Sequence, residues 1–345
     1  MIAAVNYDKQ IKLINKKLIT FESLRKDFLM RELLAYFIPD DSIIIWDGLV
    51  PENGKHDIEN IVNNLSGYKR VILDCCSSSR CWKVLENFKV DLPCYATTSI
   101  VNYYQTNDKQ IKFFPSDLVN MNIMSIDQKI NRTREYKFSC LNGNAWSHRQ
   151  LTYINLFDKP YFNEIIFSWG RKTYRDSILV DDIINDIVLT DSEKQKLTQL
   201  PSCISTHEEQ RSGNDRTSQH PAFTNACVNI VTETQSRSDT PSLTEKIMKP
   251  ILTGQFFVLI GQPECISFLR KVGIDVFDDI IDHTYDTVQC DRDRIHQSIA
   301  EIDRLATLDL FKLHNDCYDR FVANKDYILS EDFLNKITQM EFNNE

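Results

Sequence analysis

Residues Val228–Thr234 read VNIVTET, and Leu243–Ile260 read LTEKIMKPILTGQFFVLI; the order of elements in these two runs decides the fold. Cys227–Val231 reads as a buried strand, Thr244–Leu252 as a helix that Thr244 can cap, Phe256–Ile260 as a second buried strand and Glu264–Val272 as a second helix. Strand and helix in alternation indicate a parallel sheet covered by helices, because parallel neighbours need a crossover long enough to hold a helix. The same alternation lies upstream, with a strand at Tyr136–Leu141, a helix at His148–Leu156 and a strand at Glu164–Phe167.

The first half repeats the pattern. Ser42–Trp46 (SIIIW), Arg70–Leu73, Pro93–Thr98 and Ile111–Phe114 read as strands, Asp57–Leu65 as a helix, and Ile11–Phe37 as one or two helices. The polar, Asn-rich stretch between Pro115 and Glu135 marks a boundary. The expected organisation is α/β, with a first Rossmann-like domain over residues 1–125 and a second over 135–290. An insertion at 174–222 interrupts the second, and a helical segment follows over 291–345. Ile295, Ile299, Ile302 and Leu305 form a helical stripe suited to core packing. Ser205–His220 is so polar that it reads as a surface loop or mobile lid.

A chain of 345 residues with 42% hydrophobic and 26% charged residues can bury two cores, which excludes fibrous and disordered classes. Its net charge of -9 argues against coating nucleic acid or an anionic membrane through bulk charge. Neither a secretory signal nor a membrane span is read, and a cytoplasmic protein is expected. The ten cysteines include no C-x-x-C pair; Cys75, Cys76 and Cys81 cluster without a histidine at zinc-ligand spacing, so reduced thiols and no metal are expected. The nine glycines build neither G-x-G-x-x-G nor a P-loop, so any phosphate site must use helix N-termini and side chains.

Three pieces of the second half fit such a site. Phe138–Arg149 (FSCLNGNAWSHR) is a strand, a turn containing Asn142, Gly143 and Asn144, and a helix start with Ser147 as a candidate cap; it brings backbone N–H groups and Arg149 to one sheet edge. Val228–Thr234 ends a strand on Glu233. The helix after Thr244 carries Glu245 and Lys246 in its first turn, where a carboxylate can accept ribose hydroxyls and an ammonium can face phosphates. A glutamate in a first turn is equally an ordinary complement to the helix dipole.

The order FSCLN, HR, FSWG, VNIVTET, LTEK and PILTGQFFVLIGQPECISFLRKVGIDVF resembles the C-terminal nucleotide-sugar domain of GT-B glycosyltransferases, most of all the alpha-1,3-fucosyltransferase-like group and its phage and bacterial relatives. The resemblance covers roughly residues 136–285. It implies two facing Rossmann-like domains, the first for the acceptor and the second for the nucleotide sugar. It implies that Arg149 binds the donor diphosphate, that Glu245 and Lys246 bind ribose and phosphate, and that Glu233 either positions the donor sugar or braces its loop. The group's glutamate base in the first domain has no counterpart in VILDCCSSSRC; Asp74 at the end of that strand is the substitute, with Asp47 of IIIWDG second.

The expected activity is inverting transfer of a sugar from a nucleotide-diphosphate donor to a hydroxyl acceptor, with no cofactor beyond that co-substrate. No D-x-D stands at a strand end to hold a divalent ion; Asp181, Asp182, Asp278 and Asp279 read as solvated faces. The acceptor is a surface-glycan precursor or a hydroxymethylated base in phage DNA. Arg132, Arg134, Lys137, His148, Arg149, Arg171, Lys172 and Arg175 concentrate positive charge near the start of the second domain, part of it committed to donor phosphates. The alternative is a nucleotide-binding or scaffolding protein on the same fold that has lost its base.

Overall fold

A computed structural model of the protein describes the backbone of residues 2–4, 12–14, 42–46, 70–74, 94–98, 104–106 and 109–115, and then residues 129–144, 146–172, 187–201, 203–205, 220–233, 243–330, 332–333 and 336. The chain divides into two units, Met1–Ile123 with Leu334–Glu345, and Met124–Phe333.

The described strands of the first unit are β1 (Ile2–Ala4), β2 (Lys12–Ile14), β3 (Ser42–Trp46), β4 (Arg70–Asp74), β5 (Cys94–Thr98), β6 (Tyr104–Thr106) and β7 (Lys109–Pro115). They form one sheet in the order β2-β1-β3-β4-β5-β7-β6. Neighbours from β1 through β7 are parallel, while β2 and β6 close the two edges antiparallel. Apolar runs such as IIIW and VIL suit strands flanked on both sides by other strands. Lys12–Ile14 corrects the helix expected over Ile11–Phe37: it pairs with β1, Ile2 opposite Ile14. A short apolar run fits either period, and here the free edge of β1 decides it. The remainder of that helix, the helix at Asp57–Leu65, and Asp47 lie outside the described residues.

The second unit contains β8 (Tyr136–Asn144), α1 (Ser147–Phe157), β9 (Ile165–Lys172), α2 (Asp191–Gln199), β10 (Cys203–Ser205), α3 (Pro221–Thr224), β11 (Ala226–Thr232), α4 (Glu245–Thr253), β12 (Phe256–Ile260), α5 (Cys265–Lys271), α6 (Asp291–Ala306), α7 (Leu310–Asp316) and α8 (Tyr318–Ile328). Its sheet has the order β10-β9-β8-β11-β12, parallel except for β10. Every residue of β11 and β12 is buried, which is why these two runs are apolar without alternation apart from Asn229 and Thr232. Phe256 of β12 meets Phe277 and Phe321 with ring centroids 4.9 Å away in each case, and so joins the C-terminal helices to the sheet. Ile295, Ile299, Ile302 and Leu305 are buried in the same core.

Part of the polar insertion is integral to this unit. Ile187, Leu189 and Leu200 are buried, α2 starts with a Thr190–Glu193 capping box, and β10 extends the sheet beside β9. Of the expected lid, Ser205 ends β10 and His220 caps α3, its Nδ1 accepting from the Ala222 N–H at 2.9 Å; residues 206–219 lie outside the described set. Among the described residues no helix is long and apolar enough to cross a membrane.

The C-terminus of α4 is fixed by two features. Gly254 has φ 70°, and the buried Arg134 guanidinium donates to the carbonyls of Thr253 (2.7 Å), Gly254 (2.9 Å) and Phe223 (2.8 Å). A Cβ at position 254 would stand 2.5 Å from Ile130 Cγ2. Gly254→Ala therefore combines left-handed strain with overpacking and is expected to lower stability by about 2 to 4 kcal/mol in urea denaturation; an unchanged midpoint would refute the cap.

Candidate functional site

In chain order the second unit's parallel strands run from β8 outward to β9, then return to the other side of β8 for β11 and β12, so the direction of winding reverses between β8 and β11. Open α/β sheets bind ligands outside the carboxyl ends of their strands at such a reversal. The backbone opens there. Pairing of β8 with β11 ends at Ser139 opposite Asn229, whereas β8 stays paired with β9 to Asn144 opposite Lys172, and β11 with β12 to Thr232 opposite Ile260.

Side chains span the parted strands. Thr232 Oγ1 donates to Asn142 Oδ1 at 2.6 Å. Arg149 Nη2 donates to the carbonyls of Thr232 (3.1 Å) and Glu233 (3.0 Å), and His148 Nε2 donates to the Glu233 carbonyl at 2.8 Å. Both residues sit in the first turn of α1 and both are buried. Ser147 is not the cap: it is the first helical residue, after Trp146 at the N-cap position, and its Oγ accepts from the Ile187 N–H at 3.2 Å, tying α1 to the insertion.

Glu233 lies just beyond β11 and is fully buried. Its Oε1 accepts from the Thr244 N–H at 3.1 Å and its Oε2 from Thr244 Oγ1 at 2.5 Å. Thr244 caps α4, and its Oγ1 accepts from the Lys246 N–H (3.4 Å) and Lys246 Nζ (2.9 Å). These bonds tie the residue after β11 to the start of α4. Gly261 passes close by, where a Cβ would stand 3.3 Å from Glu233 Cβ; the Gly261 carbonyl accepts from Arg294 Nε at 2.8 Å. Arg294 also donates to the Val288 carbonyl at 2.6 Å and pairs with Asp291.

Burial, followed by the positive charge of Arg149 and smaller contributions from Lys246 and Arg294, pushes the His148 imidazole down to about 3. It is therefore neutral at ordinary pH, with Nε2 carrying the proton that the Glu233 carbonyl accepts. Arg149, Lys246 and Arg294 thus act on one edge of the sheet beside the carboxylates of Glu233 and Asp291, and the N-termini of α1 and α4 lie there too.

Of the residues expected from sequence, Asn142, Arg149, Glu233 and Lys246 share this hydrogen-bonded neighbourhood. Glu245 is the first residue of α4, with its side chain outside the described set, and Asp74 is the last residue of β4 in the other unit. The expected basic cluster divides. Arg132 stacks on Tyr318, Arg134 caps α4 and Lys137 pairs with Glu164, all around the start of β8, whereas Arg149 follows its other end. A strand of nine residues separates the two groups by roughly 27 Å. Asp278 and Asp279 pair with Arg270 and Arg320, and Asp181, Asp182 and Arg175 lie outside the described residues. Cys140, Cys227, Cys265, Cys290 and Cys317 form no disulfide; Cys75, Cys76 and Cys81 lie outside the described residues. Among the described residues no three side chains are grouped as metal ligands. Arg294 was not legible as part of the site, since DRDR in a first helical turn reads as a solvated surface.

No protein-family model and no curated protein matches the chain. Solved structures similar to it include a T4 phage β-glucosyltransferase mutant in complex with UDP-glucose, 12% identical with a TM-score of 0.38 over 86% of this chain and 83% of that one. Another is the DNA-modifying enzyme β-glucosyltransferase with and without uridine diphosphoglucose, 12% identical with a TM-score of 0.37 over 86% and 81%. A third is the T4 phage enzyme with UDP and manganese, 12% identical with a TM-score of 0.36 over 86% and 83%. At these values the likeness assigns no activity, ligand or residue role to this chain.

His148 and His314 make stability depend on pH. The ordinary value is 6.5; His148 is held at about 3, and burial with the charge of Arg134 holds His314 at about 4. The unfolded chain takes up these protons first, so this stability is fully present above pH 6.5 and is lost as pH falls toward 4, by roughly 1.4 kcal/mol per pH unit for each histidine. In urea melts between pH 6.5 and pH 4.5, His148→Gln is expected to remove about one such increment from the slope; an unaltered slope would show that His148 is not held neutral.

Proposed function

We propose that the protein is a GT-B glycosyltransferase that moves a sugar from a nucleotide-diphosphate donor to a hydroxyl acceptor with inversion, in the cytoplasm. The observation that carries this reading is the β8/β11 reversal, where Arg149, Lys246 and two helix N-termini come together beside a neutral histidine. The resemblance of the VNIVTET and LTEK stretches supports it independently.

In this reading the second unit binds the nucleotide. Glu245 takes the ribose hydroxyls, while Lys246 and the α4 N-terminus face the diphosphate. Arg149, anchored to two carbonyls, adds its charge, while Asn142 bonds to Thr232 and Glu233 to the start of α4. Fixed cations of this kind stabilise the charge that develops on a departing diphosphate, which is where an enzyme gains rate. These side chains supply the positive charge that a divalent ion supplies in other sites.

The first unit takes the acceptor. Asp74 ends β4 at the carboxyl edge of its sheet and is the only acidic residue in the in-register rows of β3, β4, β5 and β7. Its carboxylate removes the acceptor hydroxyl proton as that oxygen bonds to the anomeric carbon, while the bond from that carbon to the diphosphate oxygen breaks and the electron pair leaves with the phosphate.

Asp74→Asn preserves shape and removes the proton acceptor. Transfer of labelled sugar from a panel of nucleotide sugars that includes UDP-glucose is expected to fall about 100-fold to 10,000-fold, with donor affinity unchanged. Full turnover in Asp74→Asn, or a product with retained stereochemistry, would contradict the mechanism. Donor binding without transfer by the unsubstituted chain to any hydroxyl acceptor would favour a nucleotide-binding scaffold.

A further inference from the structure

His148 takes no part in the reaction as described, yet it is 1% exposed in the first turn of α1, and its Nε2 meets the Glu233 carbonyl at 2.8 Å. A carbonyl can only accept, so the single proton of the neutral ring sits on Nε2, and Nδ1 is left with a bare lone pair. Nδ1 is buried and has no hydrogen-bond partner among the described residues. A buried acceptor left unmade is costly, and native structures keep few of them. The indole Nε1 of Trp146, the N-cap residue of the same helix, is likewise a buried donor without a partner among the described residues, and no side chain caps α1.

Covalent geometry and charge restrict what can meet this lone pair. Nδ1 is bonded to Cγ, on the side of the ring nearest the backbone of His148 itself, so it stays by the start of α1 while Nε2 reaches across to Glu233. The diphosphate of a nucleotide sugar has no proton to give at neutral pH, and its charge is drawn to Lys246 and Arg149 instead. A hydroxyl does have a proton to give, and its oxygen can in turn accept from an N–H at the open start of α1. The hydroxyls of a nucleotide sugar are those of the ribose, which the reading above gives to Glu245, and those of the sugar that is transferred.

We propose that His148 Nδ1 accepts a hydrogen bond from a hydroxyl of the transferred sugar, which makes His148 a specificity-determining residue and requires a donor sugar with that hydroxyl unsubstituted. The proposal rests on the glycosyltransferase reading above and adds to it a selection among sugars. Arg149 and Lys246 cannot make that selection, because their charges answer to the phosphates that all such donors share.

The test is calorimetric titration of the full chain with UDP, GDP, UDP-glucose and GDP-mannose, and with the monodeoxyfluoro forms of each sugar nucleotide. Fluorine is close to a hydroxyl in size but cannot donate. One monodeoxyfluoro form is expected to bind about 10-fold or more weakly than its parent. In His148→Gln the amide N–H can replace Nε2 at the Glu233 carbonyl while no acceptor remains in the place of Nδ1; this variant is expected to bind the parent as weakly as that fluoro form. His148→Asn, whose amide oxygen falls near the place of Nδ1, is expected to restore the preference for the parent. UDP and GDP without a sugar are expected to bind the unsubstituted chain and His148→Gln alike. A chain that prefers the parent over none of its fluoro forms, or a preference that survives in His148→Gln, would overturn the proposal and leave Nδ1 to a trapped water. Equal weakening of sugar-free UDP or GDP by His148→Gln would overturn it in favour of a structural role. A chain that binds none of these nucleotides would instead remove the glycosyltransferase reading on which the proposal rests.

Discussion

Where β8 and β11 part, the carbonyls of Thr232 and Glu233 accept from side chains of α1, and the rest of the site follows from that constraint. A buried carbonyl without a donor is costly, and the first turn of α1 supplies donors from His148 and Arg149. This fixes the start of α1 against the end of β11. The next group along the chain, the buried Glu233 carboxylate, takes both donors of Thr244 and so fixes the start of α4. Two helix N-termini are thereby held at one sheet edge.

The same contacts set the electrostatics. Arg149 donates to the carbonyls of Thr232 and Glu233, and Lys246 is steadied through the Thr244 hydroxyl. His148 stays neutral among these cations and serves as a donor to the backbone. Fixed charges in a site with little water act more strongly than the same charges in solvent.

Much of this architecture was legible in the sequence because β12 is an uninterrupted apolar run and β11 is broken only by Asn229 and Thr232. Phe256–Ile260 has the expected limits, and Thr244 is the expected cap of α4. The strand at Lys12–Ile14 was not legible, since only its pairing with β1 distinguishes it from a helical start. Nor was the packing of Ile187–Leu200, whose few apolar residues are scattered through polar sequence. In the site, positions just after strands could be foreseen, but hydrogen bonds spanning more than 80 residues of chain, such as those from His148 and Arg149, depend on the order of strands in the sheet. The value of Ser147 to the insertion, in place of a cap, has the same long-range origin.

The central claim is that the β8/β11 edge binds a nucleotide diphosphate sugar. Calorimetric titration of UDP- and GDP-sugars into the full chain and into Lys246→Ala addresses it most directly. The account predicts saturable binding of at least one donor, weakened about 10-fold to 100-fold by the loss of one charge-assisted contact, with the urea midpoint of the variant little changed. Equal affinity in the folded Lys246→Ala protein, or no binding of any donor, would contradict it.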